Sequence, residues 1–222
     1  MRIIDCGQLA YDKALRLQEK LAAAIFNGNH PETVLLLQHP PVYTIGRGGD
    51  PTNILDPTLK VERVGRGGDV TWHGPGQVVC YPLIDLRRRG RDLHRWVRFL
   101  EEVLIALIGH FDIQGYRRSR EPGVWTAGGK IGFVGVGVRR WISMHGCSLN
   151  VHPDLAAFSR INPCGYLAAP ITSMAKECDP APTVHEVIHW LRTHFAALLS
   201  RWLPLLSNVC TYPIHQGGCA HP

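Results

Sequence analysis

The sequence lacks several patterns that would assign it to a common class of protein. No apolar run approaches the roughly 18 residues of a membrane span. No charged start followed by an apolar run is present either, so we expect no signal peptide. The seven cysteines are an odd number without CxxC spacing, which argues against a disulfide framework and a clustered zinc site. We therefore expect reduced thiols, a cytoplasmic location and no metal.

Two further absences concern nucleotides and nucleic acids. No GxxxxGK[ST] pattern occurs, so a phosphate-cradling nucleotide site is poorly supported. Lysine is scarce and stands only at positions 13, 20, 60, 130 and 176. The arginine clusters at 87–91 and 117–120 have no interleaved aromatic residues for base stacking. The net charge of +6 therefore fits an acidic protein partner at least as well as nucleic acid.

The composition predicts one globular domain. With 222 residues, 45% of them hydrophobic and 19% charged, the chain is long enough for one sizeable core and short for two domains. We expect a single catalytic domain over residues 1–222, with a loosely ordered tail over 207–222.

Strand and helix patterns come in blocks and do not alternate regularly, which favours an α+β fold with a mixed or antiparallel sheet flanked by helices. Apolar spacing predicts three long helices, the last with a capping box from Thr183 and Glu186. These helices are Leu9–Ile25, Leu93–Ile108 and Val184–Trp202. The predicted strands are Met1–Cys6, Thr33–Gln38, Val42–Ile45, Gln77–Ile84, Val124–Thr126, Ile131–Val138 and Trp141–Val151.

The glycine-rich stretch 66–81, RGGDVTWHGPGQVVCY, is the first candidate for a site. Glycines let the backbone approach a ligand closely, so such a loop can line a pocket with N–H groups. Thr71, His73 and Gln77 add polar side chains at its rim. The alternative is an ordinary surface loop before a strand.

Lys130 and Cys164 are the residues most suggestive of chemistry. Lys130 lies in AGGKIGFVGVGV, a segment that reads as a buried strand, where an amine loses hydration. A lysine at a strand edge that reaches water is the structural alternative. Cys164 stands between a proline and a glycine, in a turn where a thiolate nucleophile can be exposed. Cys164, His145 and Asn150 also leave open a Cys–His–Asn hydrolase.

Several segments, in this order, together resemble the lipoyl(octanoyl) transferase family. They are HPPVYTIGR at 39–47, RGGDVTWHGPGQVVCYP at 66–82, GGKIGFVGV at 128–136, HGCSLNV at 145–151, INPCGY at 161–166 and ITSM at 171–174. The resemblance runs from about Val34 to Ser173. It implies the biotin/lipoate protein ligase-like fold, no cofactor, and transfer of octanoyl from an acyl carrier protein thioester to a lipoyl-domain lysine.

The resemblance also implies roles for individual residues. Cys164 would be the acyl-accepting nucleophile and Lys130 its catalytic partner. The substrate-binding residues that it implies are Arg66, Gly67, Gly68, Asp69, Val70, Thr71, Trp72, His73, Phe133, Val134, Gly135, Gly146, Cys147 and Ser148. Cys147 and Ser148 depart from the apolar or small residues usual there. Val70, Trp72 and Phe133 are expected to line an apolar slot for the acyl chain.

Partners follow from the same resemblance. The implied donor is octanoyl-acyl carrier protein. The implied acceptors are lipoyl domains of 2-oxoacid dehydrogenase complexes and the glycine cleavage H protein, with no nucleic acid and no membrane. Two other functions stay open: an ATP-dependent lipoate or biotin ligase on the same fold, and a non-catalytic module that docks acidic carrier or lipoyl domains.

Overall fold

The computed structural model describes residues 1–119, 121–165 and 170–206, so the tail predicted to be loosely ordered lies outside the described residues. The strands are β1 Arg2–Gln8, β2 Thr33–Gln38, β3 Val42–Ile45, β4 Val61–Arg63, β5 Thr71–His73, β6 Gln77–Leu83, β7 Tyr116–Arg118, β8 Glu121–Thr126, β9 Gly129–Arg139 and β10 Ile142–Asn150. The helices are α1 Tyr11–Phe26, α2 Leu93–Gly109, α3 Met174–Glu177 and α4 Val184–Trp202.

Within these ranges the strands form two sheets. The larger has seven strands in the order β1-β2-β6-β10-β9-β8-β7, and the smaller has three in the order β4-β3-β5. In the larger sheet β1 and β2 are parallel and the other pairs are antiparallel. The expectation of a mixed sheet flanked by helices is confirmed.

Helices cover both faces of the larger sheet. Side chains alternate along β2, so Val34 and Leu36 pack with α2 and α4, whereas Leu35 and Leu37 pack on the side of α1. A strand buried on both faces reads as a continuous apolar run, which explains the sequence TVLLLQ. None of the helices in the described ranges has the length and apolar character of a membrane span.

The long elements lie close to their predicted bounds. The predicted capping box at the start of α4 is confirmed, since the Thr183 and Glu186 side chains each bond the other residue's backbone N–H. A hairpin joins β9 and β10, and its turn lies one residue later than the gap between the strands predicted over Ile131–Val138 and Trp141–Val151. It uses Arg140 and Trp141, both with positive φ, as a two-residue hairpin turn requires.

The smaller sheet was not predicted. No predicted strand or helix covers residues 54–64, and 66–73 lie in the stretch expected to be a loop. Both regions contribute a short strand, β4 and β5, that pairs with β3. Three-residue strands carry too little periodicity to be recognised. This sheet positions the turn that carries Cys164. The Cys164 N–H donates to the carbonyl of Val70, the residue before β5, at 2.9 Å.

Candidate active site

A small cavity lies where β5, β9 and β10 meet the turn that carries Cys164. Its volume is about 40 Å³. Its walls come from several distant parts of the chain, so the fold as a whole builds it. The lining residues are Tyr11, Arg66, Gly68, Asp69, Thr71, His73, Tyr81, Phe133, Val134, Gly135, His145, Gly146, Cys147, Ser148 and Cys164.

Lys130 and Cys164 meet at this cavity. Lys130 is fully buried, and its Nζ lies 3.3 Å from Cys164 Sγ and 2.9 Å from the carbonyl oxygen of Pro122. The rings of Trp125 and Phe133 each lie 5.3 Å from the amine. A basic group within hydrogen-bond distance of a thiol is the arrangement that activates a cysteine nucleophile. The pair therefore has the geometry of an activated nucleophile.

The turn that carries Cys164 is held in an unusual backbone conformation. Cys164 has φ of 59° and ψ of 20°, in the left-handed region that residues other than glycine rarely adopt. Besides the bond from Cys164 to Val70, Asn162 N–H donates to the carbonyl of Asn53 at 2.7 Å. The Asn53 amide in turn donates to Asp69 Oδ2 at 2.7 Å. These bonds fix the sulfur against β5, and Asp69 acts here as an anchor of the turn.

Arg66 is a buried cation in the cavity wall. Its Nη2 donates to the backbone oxygen and hydroxyl of Thr44 at 2.9 and 2.8 Å, and its Nη1 donates to the carbonyl of Gly67 at 3.0 Å. Among the described residues its Nε has no hydrogen-bond partner. Burial lowers the pKa of Arg66, although Tyr11 and Cys164 oppose this when they are ionised. A guanidinium stays charged in proteins, so Arg66 brings a positive charge to the cavity.

The Thr71 hydroxyl is a second buried polar group without a partner. Thr71 is only 5% exposed, and within the described part of the chain nothing hydrogen-bonds its Oγ1. Because side chains alternate along β5, Thr71 and His73 face the cavity. Val70, the residue before Thr71, accepts the hydrogen bond from Cys164. The free hydroxyl and the sulfur therefore border the same small space.

Gly135, where β9 pairs with β10, makes room for Arg66. Gly135 pairs with Gly146 across these strands. A Cβ built on Gly135 would lie 2.9 Å from Arg66 Cδ, closer than such atoms approach. The missing side chain therefore lets the guanidinium lie directly against the sheet.

Two neutral histidines, His73 and His145, line the cavity, and a third, His39, packs against His73. Burial lowers the pKa of His73 to about 3, with a further contribution from neighbouring His39. Burial likewise lowers the pKa of His39 to about 4. Burial and the charge of Arg66 lower the pKa of His145 to about 4. The Tyr11 hydroxyl lies 3.5 Å from His145 Nδ1, and burial raises the pKa of Tyr11 to about 12. At neutral pH these groups offer hydrogen bonds without charge.

A chain of hydrogen bonds fixes the side chains behind His73. His73 Nδ1 lies 2.6 Å from Gln77 Oε1, and the Gln77 amide donates to Asn150 Oδ1 at 2.9 Å. The Asn150 amide donates to the carbonyl of Thr172 at 2.9 Å. Of the polar residues predicted at the rim of the glycine-rich stretch, His73 and Gln77 are thus buried in one network, whereas the Thr71 hydroxyl takes no part in it.

The arrangement of a Cys–His–Asn hydrolase is not formed in the described residues. The His145 ring bonds Tyr11, and Asn150 is engaged with Gln77 and Thr172. The basic group beside Cys164 is Lys130. The hydrolase alternative therefore loses its structural basis.

Most of the residues implied by the resemblance come together at this cavity. Those in its wall are Arg66, Gly68, Asp69, Thr71, His73, Phe133, Val134, Gly135, Gly146, Cys147, Ser148 and Cys164, with Lys130 in contact through Cys164.

Three of the implied residues lie elsewhere. Gly67 is placed beside the cavity by its N–H, which donates to the carbonyl of Val136. Val70 and Trp72 point to the opposite face of β5, where they join a small apolar cluster with Phe158. Val70 and Trp72 therefore do not line this cavity, whereas Phe133 lines it and also belongs to the same apolar cluster.

Two cavity residues were missed from the sequence. Tyr11 stands at the start of α1 and reaches the cavity because α1 packs across β6 and β10. Tyr81 lies in β6, a strand buried along its whole length, so no alternation marks which of its residues face the site. Neither residue carries a local pattern that reasoning from the sequence could have used.

Comparison with known proteins identifies the family of this chain. Residues 10–196 match the family model for the lipoyl protein ligase A/B catalytic domain. The chain belongs to this family. The sequence segments described above led us to expect this family and its fold, and both expectations are confirmed.

Curated members of the lipoyl protein ligase A/B family with similar sequences carry the name octanoyltransferase. The protein of that name from Geobacter metallireducens is 52% identical over 208 residues, covering 94% of this chain and 98% of the relative. The octanoyltransferase of Geotalea uraniireducens is 51% identical over 205 residues, covering 92% and 96%. That of Gloeobacter violaceus is 45% identical over 188 residues, covering 83% and 84%.

Solved structures share the fold at low sequence identity. The bipartite lipoate protein ligase of Thermoplasma acidophilum superposes with a TM-score of 0.64 at 13% identity, covering 90% of this chain and 82% of that one. Biotin protein ligase from Aquifex aeolicus, in complex with biotin and ATP, gives 0.56 at 14% identity, covering 91% and 72%. The fold is therefore the biotin/lipoate protein ligase fold.

Proposed function

We propose that this protein transfers an octanoyl group from octanoyl-acyl carrier protein to a lysine amine of a lipoyl domain, the first step of protein lipoylation. The observation that carries the proposal is the 3.3 Å contact between Lys130 Nζ and Cys164 Sγ in a chain about half identical to octanoyltransferases. A thioester is already activated, so the reaction needs no nucleotide. Residues 1–222 would act as one catalytic domain.

In the first half of the reaction, the Cys164 thiolate attacks the carbonyl carbon of the carrier thioester. A new carbon–sulfur bond forms, the bond to the phosphopantetheine sulfur breaks, and octanoyl is held on Cys164 as a thioester. The Lys130 ammonium gives its proton to the leaving thiolate and becomes a neutral amine. The enzyme is then acylated and its base is ready.

In the second half, the acceptor lysine amine attacks the octanoyl carbonyl. The carbon–nitrogen bond forms, the bond to Cys164 breaks, and the amine proton passes to neutral Lys130. Cys164 is again a thiolate beside an ammonium group, so protons and charges balance over the cycle. One dyad therefore serves both half-reactions in a ping-pong scheme.

Negative charge develops on the octanoyl oxygen in each half-reaction. Arg66 Nε and Thr71 Oγ1 are buried, border the cavity and have no partner among the described residues. A buried polar group without a partner costs free energy, so both groups gain when they bind this oxygen. We assign them as its hydrogen-bond donors, a role worth about 3 kcal/mol per donor in other enzymes.

The acyl chain would run along β10. Ser148 lies opposite Phe133 in the β9–β10 register. The strand rises about 10 Å from Ser148 to His145, which is similar to the length of about 9 Å of an extended eight-carbon chain. The cavity volume of about 40 Å³ is small for an eight-carbon chain. We therefore expect side chains such as Phe133 to move apart when the chain enters.

The proposed partners follow the chemistry of this cycle. The donor is octanoyl-acyl carrier protein, and the acceptors are lipoyl domains of 2-oxoacid dehydrogenase complexes and the glycine cleavage H protein. The net charge of +6 favours acidic partners. A nucleophilic Cys164 requires a reduced thiol, and Cys6, Cys80, Cys147 and Cys178 are free as well, which supports a cytoplasmic location.

A transfer assay separates this function from an ATP-dependent ligase. The purified protein is mixed with octanoyl-carrier protein and a lipoyl domain without ATP, or with free octanoate and ATP. We expect octanoylated lipoyl domain only in the first mixture. Product that requires ATP and survives Cys164→Ala indicates a ligase, and binding of both proteins without product indicates a docking module.

A further inference from the structure

Glu101 is a fully buried carboxylate in the middle of α2, at 0% exposure. Charged side chains are seldom buried unless they are paired. Its Oε2 accepts hydrogen bonds from Arg98 Nη1 at 2.8 Å and from Arg117 Nε at 3.2 Å. Its Oε1 accepts from the backbone N–H of Gly123 at 3.0 Å. The carboxylate thus joins α2 to β8 at a point beside the active site.

The bond from Gly123 leads directly to Lys130. The Gly123 N–H and the Pro122 carbonyl are the two ends of one peptide group. That carbonyl accepts the hydrogen bond from Lys130 Nζ at 2.9 Å. A peptide has a dipole of about 3.5 D, and here its positive end meets the Glu101 carboxylate while its negative end meets the amine. Hydrogen bonds in such a chain polarise one another.

The backbone is specialised to present this peptide. Gly123 has φ of 120°, a conformation open to glycine and rare for other residues. A Cβ at this position would lie 2.5 Å from the carbonyl oxygen of Gly132 and 2.9 Å from Lys130 Cε. The β8–β9 register also shifts between Val124 and Trp125. The orientation that joins Glu101 to the amine therefore depends on a glycine.

We propose that Glu101 is a positioning residue that stabilises the ammonium form of Lys130 through the Pro122–Gly123 peptide. It thereby sets the pH at which Lys130 changes from ammonium to base between the two half-reactions. The meaning for catalysis rests on the proposed function, whereas the link between Glu101 and the Lys130 amine rests on geometry alone.

Other charged groups near Lys130 do not contact Glu101 in the described residues. Arg118 lies 3.9 Å over the Trp125 ring, whose other neighbours include the Lys130 amine. Ionisable groups of the described residues in this region include Cys164 at 3.3 Å, Arg66 beyond it, Glu121 paired with Arg118, and Glu177 bonded to Thr172. They provide a common background in every variant compared below.

The scarcity of lysine makes the amine observable. With ¹³C at the ε carbon, the protein gives signals from only five lysines, and Lys130→Arg identifies the signal of interest by its loss. We expect Glu101→Gln, which keeps an oxygen for Gly123 but removes the charge, to lower the midpoint of the Lys130 titration by about one pH unit.

Glu102→Gln is the matched control. Glu102 is the adjacent residue and also pairs with Arg117, but it does not bond Gly123. We expect this variant to leave the Lys130 midpoint within about 0.2 pH units of the wild type. Equal shifts in the two variants, or no shift in Glu101→Gln, would overturn the proposal.

Arg117→Gln should shift the Lys130 midpoint in the opposite direction, and it tests the proposal even if Glu101→Gln fails to fold. Arg117 is partly exposed, and its removal leaves Glu101 less neutralised, so the Lys130 midpoint should rise. A fall or no change overturns the proposal. These titrations need no substrate. If the wild type fails to transfer octanoyl while the midpoints move as expected, the proposed function is wrong and the role of Glu101 stands.

Discussion

Replacing Thr71 with valine should slow acylation of the protein without lowering its stability. The hydroxyl is buried and has no partner among the described residues, so it costs about 1 to 3 kcal/mol in the folded protein. Valine keeps the shape of the side chain and removes this cost. We therefore expect the free energy of unfolding to stay the same or rise by about 1 kcal/mol.

The same substitution should slow acylation. If the hydroxyl donates to the octanoyl oxygen, its loss removes about 2 to 3 kcal/mol of transition-state stabilisation. At about 1.4 kcal/mol per factor of ten, this slows octanoyl-Cys164 formation by about 30- to 100-fold. Single-turnover mixing with octanoyl-carrier protein, followed by intact mass, measures the rate. Urea unfolding measures the stability.

Thr44→Val is the matched control, because Thr44 lies directly opposite Thr71 in the β3–β5 register. Its hydroxyl accepts from Arg66 at 2.8 Å, and loss of a hydrogen bond to a charged group costs about 1.5 to 3 kcal/mol. Thr44→Val should therefore destabilise the protein where Thr71→Val does not. A Thr71→Val protein that acylates at the wild-type rate, or unfolds as easily as Thr44→Val, would refute the assignment.

Two further predictions follow from burial and from close packing. Acidification from about pH 6.5 towards pH 4 should destabilise the protein, because the unfolded chain binds protons at three histidines that the folded protein protonates only near pH 3 to 4. Each of His39, His73 and His145 contributes up to about 1.4 kcal/mol of unfolding free energy per pH unit in that window. Urea titrations across this pH range measure the free energy of unfolding, and a constant value would contradict the burial of these histidines as neutral groups. Gly135→Ala should displace Arg66, because the added methyl would lie 2.9 Å from its Cδ, and should slow acylation by about tenfold. Gly48→Ala, where the added methyl meets nothing within 4 Å, should acylate normally, and equal rates in the two variants would contradict the packing argument.

The long elements could be predicted because their patterns are local. The apolar stripe of α2 and the capping box of α4 place those helices within about a residue of their observed bounds. Lys130 could be singled out because it is a charge within an apolar strand. Its contact with Cys164 could not be predicted from spacing, since it depends on how the turn at 163–165 packs on β5.

The missed residues depend on contacts between distant parts of the chain. Tyr11 reaches His145, 134 positions away. Glu101 lies within an apolar stripe, but its partner Gly123 is 22 positions further along the chain. The choice of Thr71 over Trp72 as a cavity residue depends on which face of a three-residue strand meets the cavity. No pattern within one segment carries this information.

The central claim is that Cys164 carries the octanoyl group during transfer. Wild-type protein and Cys164→Ala are each mixed with octanoyl-carrier protein without acceptor, digested and mapped by mass spectrometry. The account predicts one octanoyl group on Cys164 in the wild type, released by a lipoyl domain, and none on Cys164→Ala. An octanoyl adduct that persists on Cys164→Ala, or one that maps to Cys147 in the wild type, would contradict it.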